Sequence, residues 1–550
     1  AASGRLYAKG TVSHNYQHCW RCKNPIAYRA TEQWFLHVTE EAFRKDLLRA
    51  VSETRWVPAQ GAERIGAMLS GRPDWCLSRQ RLWGTPIPIF DCAACGKTMA
   101  DDDVLEAVEK RVATHGSDFW FADPGRPVVF GPGGVEAGAN RWEFMPPKSC
   151  SCGKSVFKRE SDILDVWLDS GASWLAVLGE GEVPCDLYLE GSDQHRGWFQ
   201  SSLVLAVALT GRAPYKTVLT HGFVLDDKGR AMHKSLGNVV APQKVIDELG
   251  ADVLRLWVSM ADYSDDVRLS DKLLAGPTDL YRKVRNTFKF LLGNTDGFCP
   301  AKDAVSRAQM PELERFILAR LRRLDLEVRS AYDAFEFRRA ATALADFCNL
   351  TLSAFYLDAR KDALYTLSPA DPVRRAAQTA MWECLRRLAG LAAPILSFTA
   401  EEVWAEARRQ HPDSGLAESV FLAELEPAPA AWDEPGLHER WERALALRES
   451  VLKALEAARA AKLIGKSQEA RVRLNPPAAE DRALVTSMGA EAWTELCLVS
   501  ELELAEGGEP VLVEKAAGAK CPRCWRWRLD VGSDASNPEL CARCALQLRA

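Results

Sequence analysis

A buried β-strand is predicted by the run Asp186-Leu-Tyr-Leu-Glu-Gly191, in which apolar side chains lead to a glycine. Residues 198–209 then have the periodicity of a helix, and residues 217–220 form a second apolar run. Short strands that alternate with helices are typical of an α/β fold with a parallel sheet. Binding sites of such sheets lie at the carboxyl ends of the strands, so we expect a site just after these two strands.

Polar side chains follow the first strand in Glu190-Gly-Ser-Asp-Gln-His-Arg-Gly-Trp198. Carboxylates at a strand end are suited to hold an ammonium group or ribose hydroxyls. A second interpretation stays open, in which Ser192 or Asp193 caps the next helix and acidic groups face its positive end. His221-Gly222 follows the second strand and is a candidate contact for a base or phosphate, although a lone histidine is more often structural.

A cationic loop comes next, Asp227-Lys-Gly-Arg-Ala-Met-His-Lys-Ser-Leu-Gly-Asn238. Such a loop is able to close over a polyphosphate, with Lys234 neutralising the charge that develops on a leaving pyrophosphate. Charge alone, however, favours a solvated turn.

The cysteines indicate zinc. Ten of the sixteen fall in pairs or near-pairs, and the chain has no export signal, so metal binding in a reducing cytoplasm is favoured over disulfides. The tail spacing supplies four thiolates in two knuckles, which fits tetrahedral zinc. These ligands are Cys521, Cys524, Cys541 and Cys544.

Two further groups of cysteines are less complete. A second structural zinc site is predicted from Cys92, Cys95, Cys150 and Cys152. Cys19-Trp-Arg-Cys22 is a lone knuckle that needs two more ligands. In the tail, Trp525-Arg-Trp-Arg528 favours either an RNA-facing surface or simple packing of the zinc knuckle.

Length and composition bound the architecture. At 550 residues we expect three to five domains. The net charge of −5 excludes a protein whose whole surface attracts nucleic acid electrostatically. We find no uninterrupted apolar run near 18 residues and therefore predict no membrane span. The first residue is not Met and no signal peptide follows, which favours a processed or truncated N-terminus.

The rest of the chain divides by pattern. Residues 76–160 are predicted to be a loop-rich insertion, with a Gly-rich stretch at 131–138 and no large core of their own. Helical periodicity covers residues 313–326, 340–356 and 376–391. Residues 426–431 are typical of a linker. After the linker we predict an amphipathic helix at 441–462 and a short strand at 472–474.

Taken together, the chain resembles class I aminoacyl-tRNA synthetases, and among them the bacterial-type isoleucyl-tRNA synthetases. The catalytic-domain motifs that carry the resemblance are Trp75-Cys-Leu-Ser-Arg-Gln-Arg-Leu-Trp-Gly84, Asp165-Val-Trp-Leu-Asp-Ser-Gly171, the 190–198 motif, Thr220-His-Gly-Phe223, the loop at 231–235 and Gly250-Ala-Asp-Val-Leu-Arg-Leu-Trp257. The motifs that carry the resemblance outside the catalytic domain are His18-Cys-Trp-Arg-Cys-Lys-Asn-Pro-Ile26, Phe355-Tyr-Leu-Asp358, Ala393-Pro-Ile-Leu-Ser-Phe-Thr-Ala-Glu-Glu-Val-Trp404 and the four-cysteine tail.

The resemblance implies ATP-dependent activation of L-isoleucine to isoleucyl-AMP and its transfer to tRNA(Ile), with Mg²⁺ accompanying ATP. The residues implied to line the isoleucyl-adenylate site are Glu190, Gly191, Asp193, Gln194, Trp167 and Trp198. Those implied to bind ATP are His221, Gly222, Lys234 and Ser235, with Lys234 as the catalytic residue. Zn²⁺ on the tail cysteines, a monomeric state, a cytoplasmic location and no membrane partner are also expected.

The implied fold is multidomain, α/β plus all-α: half of a Rossmann-type parallel sheet with a zinc-bearing insertion, a helical-bundle anticodon-binding domain and a C-terminal zinc-knuckle element. The expected domains are 1–75, the end of an editing insertion and the return to the catalytic domain; 76–220, the second half of the catalytic domain with the insertion at 88–160; 221–275, the ATP loop and stem-contact region; 276–430, the anticodon-binding helices; 431–510, a C-terminal junction; and 511–550, the zinc element.

Two departures from the family pattern matter. No His-x-Gly-His motif occurs, so we expect this chain alone to make no adenylate. In the loop the family's first Lys and its Ser are Ala231 and His233, and Arg230 or Lys228 is a candidate for the lost charge. Alternatives are a valyl- or leucyl-tRNA synthetase and a non-catalytic tRNA-binding protein derived from a synthetase.

Overall fold

In the computed structural model the described residues are 4, 8–19, 22–132, 138–179 and 183–549, without the side chains of Ser235 and Asp271. Most of the predicted Gly-rich stretch, 133–137, lies outside this description, as do Trp20 and Arg21 of the first cysteine knuckle. The chain divides into two compact units, Ala1–His221 and Gly222–Ala550.

The first unit is mixed α/β. Its strands are β1 (Phe35–Leu36), β2 (Arg55–Val57), β3 (Trp75–Cys76), β4 (Ser78–Arg79), β5 (Phe90–Cys92), β6 (Thr98–Met99), β7 (Val128–Phe130), β8 (Asn140–Trp142), β9 (Val156–Arg159), β10 (Ile163–Leu164), β11 (Cys185–Gly191) and β12 (Tyr215–His221). Its helices are α1 (Glu41–Glu53), α2 (Gln60–Ser70), α3 (Asp102–His115), α4 (Val166–Gly171), α5 (Ser173–Leu178) and α6 (Trp198–Thr210).

The predicted parallel sheet is confirmed, in the order β11-β12-β2, with α6 as the connection between β11 and β12. The prediction that β11 is a buried strand is wrong in part. It is the edge strand of the described sheet, and Leu187 and Leu189 are 38% and 48% exposed, whereas Tyr188 is buried. Because side chains alternate along a strand, only one face of β11 packs against the core.

The cysteine-containing insertion has a larger core than its sequence predicts. Its strands form a five-stranded sheet in the order β6-β5-β9-β7-β8. Large aromatic side chains fill one face of this sheet, among them Phe90, Trp120, Phe130, Trp142 and Phe157. Phe90 lies edge-on to Phe130 with ring centroids 4.8 Å apart, a preferred aromatic geometry. The sequence does not predict this aromatic cluster, because its residues lie on short strands joined by long loops and are far apart in sequence.

The second unit is mainly helical. Its helices are α7 (Pro242–Leu249), α8 (Ala251–Met260), α9 (Asp271–Thr295), α10 (Pro300–Asp303), α11 (Glu312–Asp333), α12 (Phe337–Asp346), α13 (Leu357–Thr366), α14 (Pro372–Ala392), α15 (Ser397–Gln410), α16 (Pro435–Ala460), α17 (Ala479–Met488), α18 (Ala490–Cys497) and α19 (Ala542–Gln547). Its strands are β13 (Val224–Leu225), β14 (Val267–Arg268), β15 (Ala470–Leu474), β16 (Glu501–Leu504), β17 (Val511–Lys515), β18 (Ala519–Lys520) and β19 (Trp527–Arg528).

A π-helical segment, Phe347–Tyr356, joins α12 to α13, so that Phe337–Thr366 is one continuous helix. This helix is long and apolar enough to cross a membrane by length and composition only, although it has no uninterrupted apolar run near 18 residues. However, 61% of its most apolar window is buried inside the protein. Its apolar residues belong to the largest core cluster of the chain, together with those of α11 and α14.

Residues 426–431, predicted as a linker, are packed against the helices. Ala428 is buried, its amide donates to the Asp325 carboxylate at 3.0 Å, and the Arg322 guanidinium donates to its carbonyl. The predicted strand at 472–474 is the centre of a three-stranded sheet in the order β16-β15-β17. The segment after the bundle is therefore ordered rather than a flexible connection.

Candidate functional site

The predicted site residues of the first unit lie where β11 and β12 end side by side. In the parallel register Glu190 is opposite Thr220, and Gly191 is opposite His221. Glu190 is exposed, whereas the Thr220 side chain is buried. The ends of the two strands thus carry a carboxylate on β11 and, one step further along, an imidazole on β12.

The turn after β11 is built around Gln194. Its side-chain oxygen accepts from the Trp198 amide at 2.9 Å, and its nitrogen donates to the Asp193 carboxylate at 3.0 Å. The prediction that Ser192 or Asp193 caps the next helix is therefore wrong, because Gln194 accepts from the first amide of α6. A Cβ atom on Gly197 would lie 2.3 Å from the Gln194 side-chain oxygen, so a larger residue here would displace that oxygen from the Trp198 amide.

Two tryptophans flank this turn. The ring of Trp167 would lie 2.9 Å from a Cβ atom on Gly197, and its side chain is 42% exposed. The Trp198 indole donates to the Ser170 carbonyl at 2.9 Å and stacks on Tyr188 with centroids 4.0 Å apart. These contacts fix the orientation of Trp198 and leave the face of Trp167 accessible.

Trp167 is positioned by a buried carboxylate that the sequence analysis missed. Asp165 accepts from the Trp167 amide at 3.2 Å and so caps α4. Its second oxygen accepts from the Trp75 indole at 3.0 Å and from the Arg79 guanidinium at 2.7 Å. The available signal was an aspartate directly before a short helical run, which is a typical N-cap.

The cationic loop of the second unit is closed by Asp226, which is 5% exposed. This carboxylate accepts from the Lys228 and Arg230 amides at 3.0 and 2.8 Å and from the Asn238 side chain at 2.9 Å. It also accepts a hydrogen bond from the Arg230 Nε at 2.9 Å, and the Arg230 Nη2 lies 2.8 Å from the same carboxylate oxygen as an ion pair. Hydrogen bonds from Asn238 and Arg230 hold the pKa of Asp226 well below its ordinary value.

Arg230 is therefore engaged inside the loop, which removes it as the replacement for the lost family lysine. Asn238 completes the closure, because its oxygen accepts from the His233 amide at 2.9 Å. Met232 packs against the small apolar cluster around Val245. Lys234 is exposed at the start of a short 3₁₀ turn, and among the described residues no ion pair involves it. The side chain of Ser235 lies outside the described part of the structure.

Gly222, predicted near ATP, is held by a neighbouring loop. A Cβ atom on it would lie 2.2 Å from the Asp265 carbonyl oxygen, and its amide donates to the Tyr263 carbonyl at 2.8 Å. Only glycine permits so close an approach of two backbones. Its place is thus fixed by backbone packing.

The insertion brings together the four sulfurs predicted as the second zinc site, with all ligand atoms within 4.8 Å of one another. The Sγ atoms of Cys92 and Cys152 are 3.6 Å apart, and those of Cys95 and Cys150 are 3.5 Å apart. Tetrahedral zinc with Zn–S bonds of about 2.3 Å places its sulfurs about 3.8 Å apart. Donation from the Cys152 amide lowers the pKa of the Cys150 thiol to about 6, which favours the thiolate that zinc requires.

The tail forms a second group of four sulfurs, also within 4.8 Å of one another. Cys521, Cys541 and Cys544 are buried, and the Cys524 and Cys541 sulfurs are 3.9 Å apart. A hydrogen bond from the Cys544 thiol lowers the pKa of Cys524 to about 5. Among the described residues these two groups are the candidate metal clusters, and neither includes Cys19 or Cys22.

Among residues 525–528 of the tail, one fits the predicted packing of the zinc knuckle and another fits the predicted RNA-facing surface. Arg526 is buried and pairs with Glu491 at 2.6 Å, so it packs the element. Trp525 is 55% exposed, and the ammonium groups of Lys466 and Lys520 each lie 5.5 Å from its ring centroid. The exposed surface around Trp525 therefore combines an indole of the tail with one cation of the tail and one of the preceding segment.

Three family models match the chain. Residues 14–270 match tRNA synthetases class I (I, L, M and V), residues 314–474 match the anticodon-binding domain of tRNA ligase, and residues 518–546 match the zinc finger found in FPG and IleRS.

Curated relatives match along nearly the whole chain. The isoleucine–tRNA ligase of Syntrophotalea carbinolica is 45% identical over 99% of this chain and 58% of its own length. That of Carboxydothermus hydrogenoformans is 45% identical with the same coverage, and that of Desulforamulus reducens is 46% identical over 97% of this chain and 57% of its own length. The chain thus spans somewhat more than half the length of the curated relatives it matches.

Proposed function

We propose that this chain is part of a class I aminoacyl-tRNA synthetase of the isoleucyl branch and acts in ATP-dependent activation of L-isoleucine and its transfer to tRNA(Ile). The observation that carries the proposal is the set of polar groups at the paired ends of β11 and β12, flanked by two tryptophans. The valyl, leucyl and non-catalytic alternatives are not favoured by the relatives.

The proposed chemistry depends on positioning. The isoleucine carboxylate attacks the α-phosphate of ATP, which forms isoleucyl-AMP and releases pyrophosphate. Glu190 and Asp193 are assigned to the ammonium group and ribose hydroxyls, and Gln194 orients Asp193. Trp167 and Trp198 are assigned to the isoleucine side chain. Such a reaction needs little proton transfer, because proximity and charge stabilisation supply most of the rate enhancement.

Lys234 is the proposed catalytic residue of the loop. An exposed ammonium without an ion pair among the described residues is available to neutralise the departing pyrophosphate. His221, Gly222 and Ser235 are assigned to ATP, and Mg²⁺ is proposed to accompany its phosphates. Asp226 and Asn238 act indirectly, because they hold the loop that carries Lys234.

The remaining assignments concern the domains. We propose the domain limits given above, with residues 276–430 and 511–550 as the surfaces for tRNA(Ile). Stacking on Trp525 between Lys466 and Lys520 supports an RNA contact on the zinc element. Zinc is assigned a structural role at both cysteine groups, because four sulfur ligands leave no open position. A monomeric state and a cytoplasmic location complete the proposal.

Isoleucine-dependent ATP–pyrophosphate exchange by the gene product that contains this chain tests the site. We expect Glu190→Gln to lower exchange by about 100-fold, since it removes one charge-assisted contact in a closed site. The matched control is Asp186→Asn, an exposed carboxylate at the other end of the same strand. Equal exchange by Glu190→Gln and the control would contradict the assignment.

A further inference from the structure

We propose that His195 is a positioning residue of the adenylate site, and that its Nδ1 hydrogen fixes the turn that carries Asp193 and Gln194. The inference rests on the proposed function, because it gives a buried residue of the same turn a role in the same reaction. His195 is 2% exposed and lies in the short 3₁₀ turn Ser192–Arg196, between β11 and α6.

The turn has an exposed side and a buried side. Asp193 is exposed, whereas His195, two residues later, is buried. The His195 ring stacks on Trp56 of β2 with centroids 6.0 Å apart, and it lies edge-on to Phe199 of α6 with centroids 5.5 Å apart. A Cβ atom on Gly61, in the first turn of α2, would lie 3.3 Å from its Nε2. The imidazole is thus packed against β2, α2 and α6, which together fix its orientation.

One nitrogen of this ring is hydrogen-bonded and the other is not. Nδ1 lies 3.0 Å from the carbonyl oxygen of Ser192. Because a carbonyl oxygen only accepts, Nδ1 carries the hydrogen and donates it. Nε2 is buried and has no hydrogen-bond partner among the described residues. Burial lowers the pKa of His195, and the charge of Arg64 acts in the same direction, so the ring is neutral near pH 7.

Packing alone does not explain a histidine at this position. A phenylalanine ring offers the same contacts to Trp56 and Phe199 and leaves no polar nitrogen in the core. An unpartnered buried acceptor costs free energy comparable to what one hydrogen bond contributes, so the imidazole adds little net stability. What it adds over phenylalanine is a hydrogen bond that holds the Ser192 carbonyl in one place.

The held carbonyl lies at the start of the proposed binding turn. Gln194 secures the other end, because its side-chain oxygen accepts from the Trp198 amide at 2.9 Å and its nitrogen donates to Asp193 at 3.0 Å. Without the Nδ1 hydrogen bond, the turn would be held at one end only, and Asp193 would vary in position. Because the proposed reaction depends on positioning, a displacement of about 1 Å costs about 100-fold in rate.

The test compares two amide side chains that place a donor differently. The amide nitrogen of asparagine occupies the position of histidine Nδ1, whereas that of glutamine occupies the position of Nε2. In the gene product that contains this chain, we expect His195→Asn to keep kcat of isoleucine-dependent ATP–pyrophosphate exchange within about fivefold of the parent, and His195→Gln to lower it by about 10- to 100-fold. The loss should be larger in kcat than in KM for isoleucine, because the same groups still surround the substrate.

The order of the two variants decides between positioning and packing. Asparagine is the smaller side chain and fills the space beside Trp56 and Phe199 less well than glutamine does. If His195 only packed the core, His195→Gln would retain at least as much exchange as His195→Asn, and that order overturns the proposal. His115→Gln, which changes an exposed histidine at the end of α3, is the control and should exchange at the parent rate.

A third variant keeps the test decisive if either amide variant unfolds. His195→Phe retains a ring of similar size without a donor, and thermal melting should show that it folds like the parent. We expect it to lose kcat as His195→Gln does, and exchange at the parent rate would overturn the positioning role. If the parent gene product shows no isoleucine-dependent exchange, the proposed function fails together with this inference. If the parent exchanges and the variants follow the packing order, the inference alone fails.

Discussion

Asp362 accepts two hydrogen bonds from the guanidinium of Arg543, at 2.6 and 2.7 Å. The pair connects α13 of the helical bundle to α19 of the zinc element, and Arg526 adds a second cation 3.5 Å from the same carboxylate. Although burial opposes it, these arginines keep the pKa of Asp362 below its ordinary value. The zinc element is thus attached to the bundle by a planar charge pair that neither a lysine nor an amide reproduces.

We therefore expect Arg543→Gln to loosen the zinc element. Removing Arg543 leaves the largely buried Asp362 carboxylate with only the more distant Arg526 as a cation, at a cost of roughly 2–4 kcal/mol. Amide hydrogen exchange within residues 518–549 should rise, whereas that of α14 should not. Arg549→Gln is a suitable control, because this exposed arginine pairs with Asp534 inside the element itself. The same exchange in both variants would mean that the Asp362 pair does not attach the element.

Zinc content is the second prediction. Two groups of four sulfurs predict two zinc ions per chain, measured by elemental analysis of protein purified without chelator. Cys544→Ser and Cys95→Ser should each lower the content to about one ion, since three thiolates bind zinc far less tightly. Cys299→Ser, a cysteine outside both groups, should leave it at two. A parent protein with one ion or none would contradict the assignment of at least one group.

The third prediction concerns the cationic loop. Asp226→Asn should speed tryptic cleavage at Lys228, Arg230 and Lys234 by about tenfold, because the amide side chain cannot accept all the hydrogen bonds that close the loop. Asp227→Asn, the exposed neighbour, should cleave at the parent rate. Cleavage of Asp226→Asn at the parent rate would show that the loop is held by other contacts.

The same carboxylate gives a pH dependence. A group whose pKa is depressed in the folded state stabilises it above the ordinary value of about 3.9 and loses this contribution as pH falls through the folded value. Since the pKa of Asp226 is well below ordinary, protection of the loop should stay constant between about pH 8 and pH 5. A loss of protection within that range, measured by pulsed proteolysis with a pH-tolerant protease, would contradict the hydrogen-bond arrangement.

Lys234 carries the fourth prediction. In the gene product that contains this chain, Lys234→Ala should lower isoleucine-dependent ATP–pyrophosphate exchange by about 100- to 1,000-fold, as expected for loss of one charge on a leaving phosphate. Binding of tRNA(Ile) should not change, because the loop fold depends on Asp226 and Asn238. Lys244→Ala is the control, since this exposed lysine of α7 pairs with Glu248 outside the loop. Unchanged exchange in Lys234→Ala would remove it as the catalytic residue.

Local patterns predicted much of this structure. The strands at 186–191 and 217–220, the helix after Trp198 and the two zinc groups all follow from periodicity or spacing, which are properties of neighbouring residues. The errors concern relations between distant residues. The edge position of β11, the aromatic core of the insertion and the packing of Ala428 depend on partners that no local pattern specifies.

The same reason explains which buried polar contacts were missed. The Arg360 guanidinium donates to the Glu314 carboxylate at 2.6 Å across 46 residues, in a buried pair without a sequence signature. Asp165 begins a motif and Asp226 directly precedes the cationic loop, but the sequence assigned a role to neither, although each accepts several hydrogen bonds and positions a proposed site residue. Chemistry-bearing residues were thus easier to predict than the residues that orient them.

Aminoacylation is the most direct test of the proposed function. Purified gene product that contains this chain is incubated with ATP, Mg²⁺ and tRNA(Ile), and isoleucine, valine and leucine are compared side by side. We predict isoleucyl-tRNA formation with kcat/KM about 10- to 200-fold higher for isoleucine than for valine, the discrimination that one methylene group permits. Charging with valine or leucine at an equal or higher rate, or no charging with isoleucine, would contradict the assignment of the Glu190–Trp198 site.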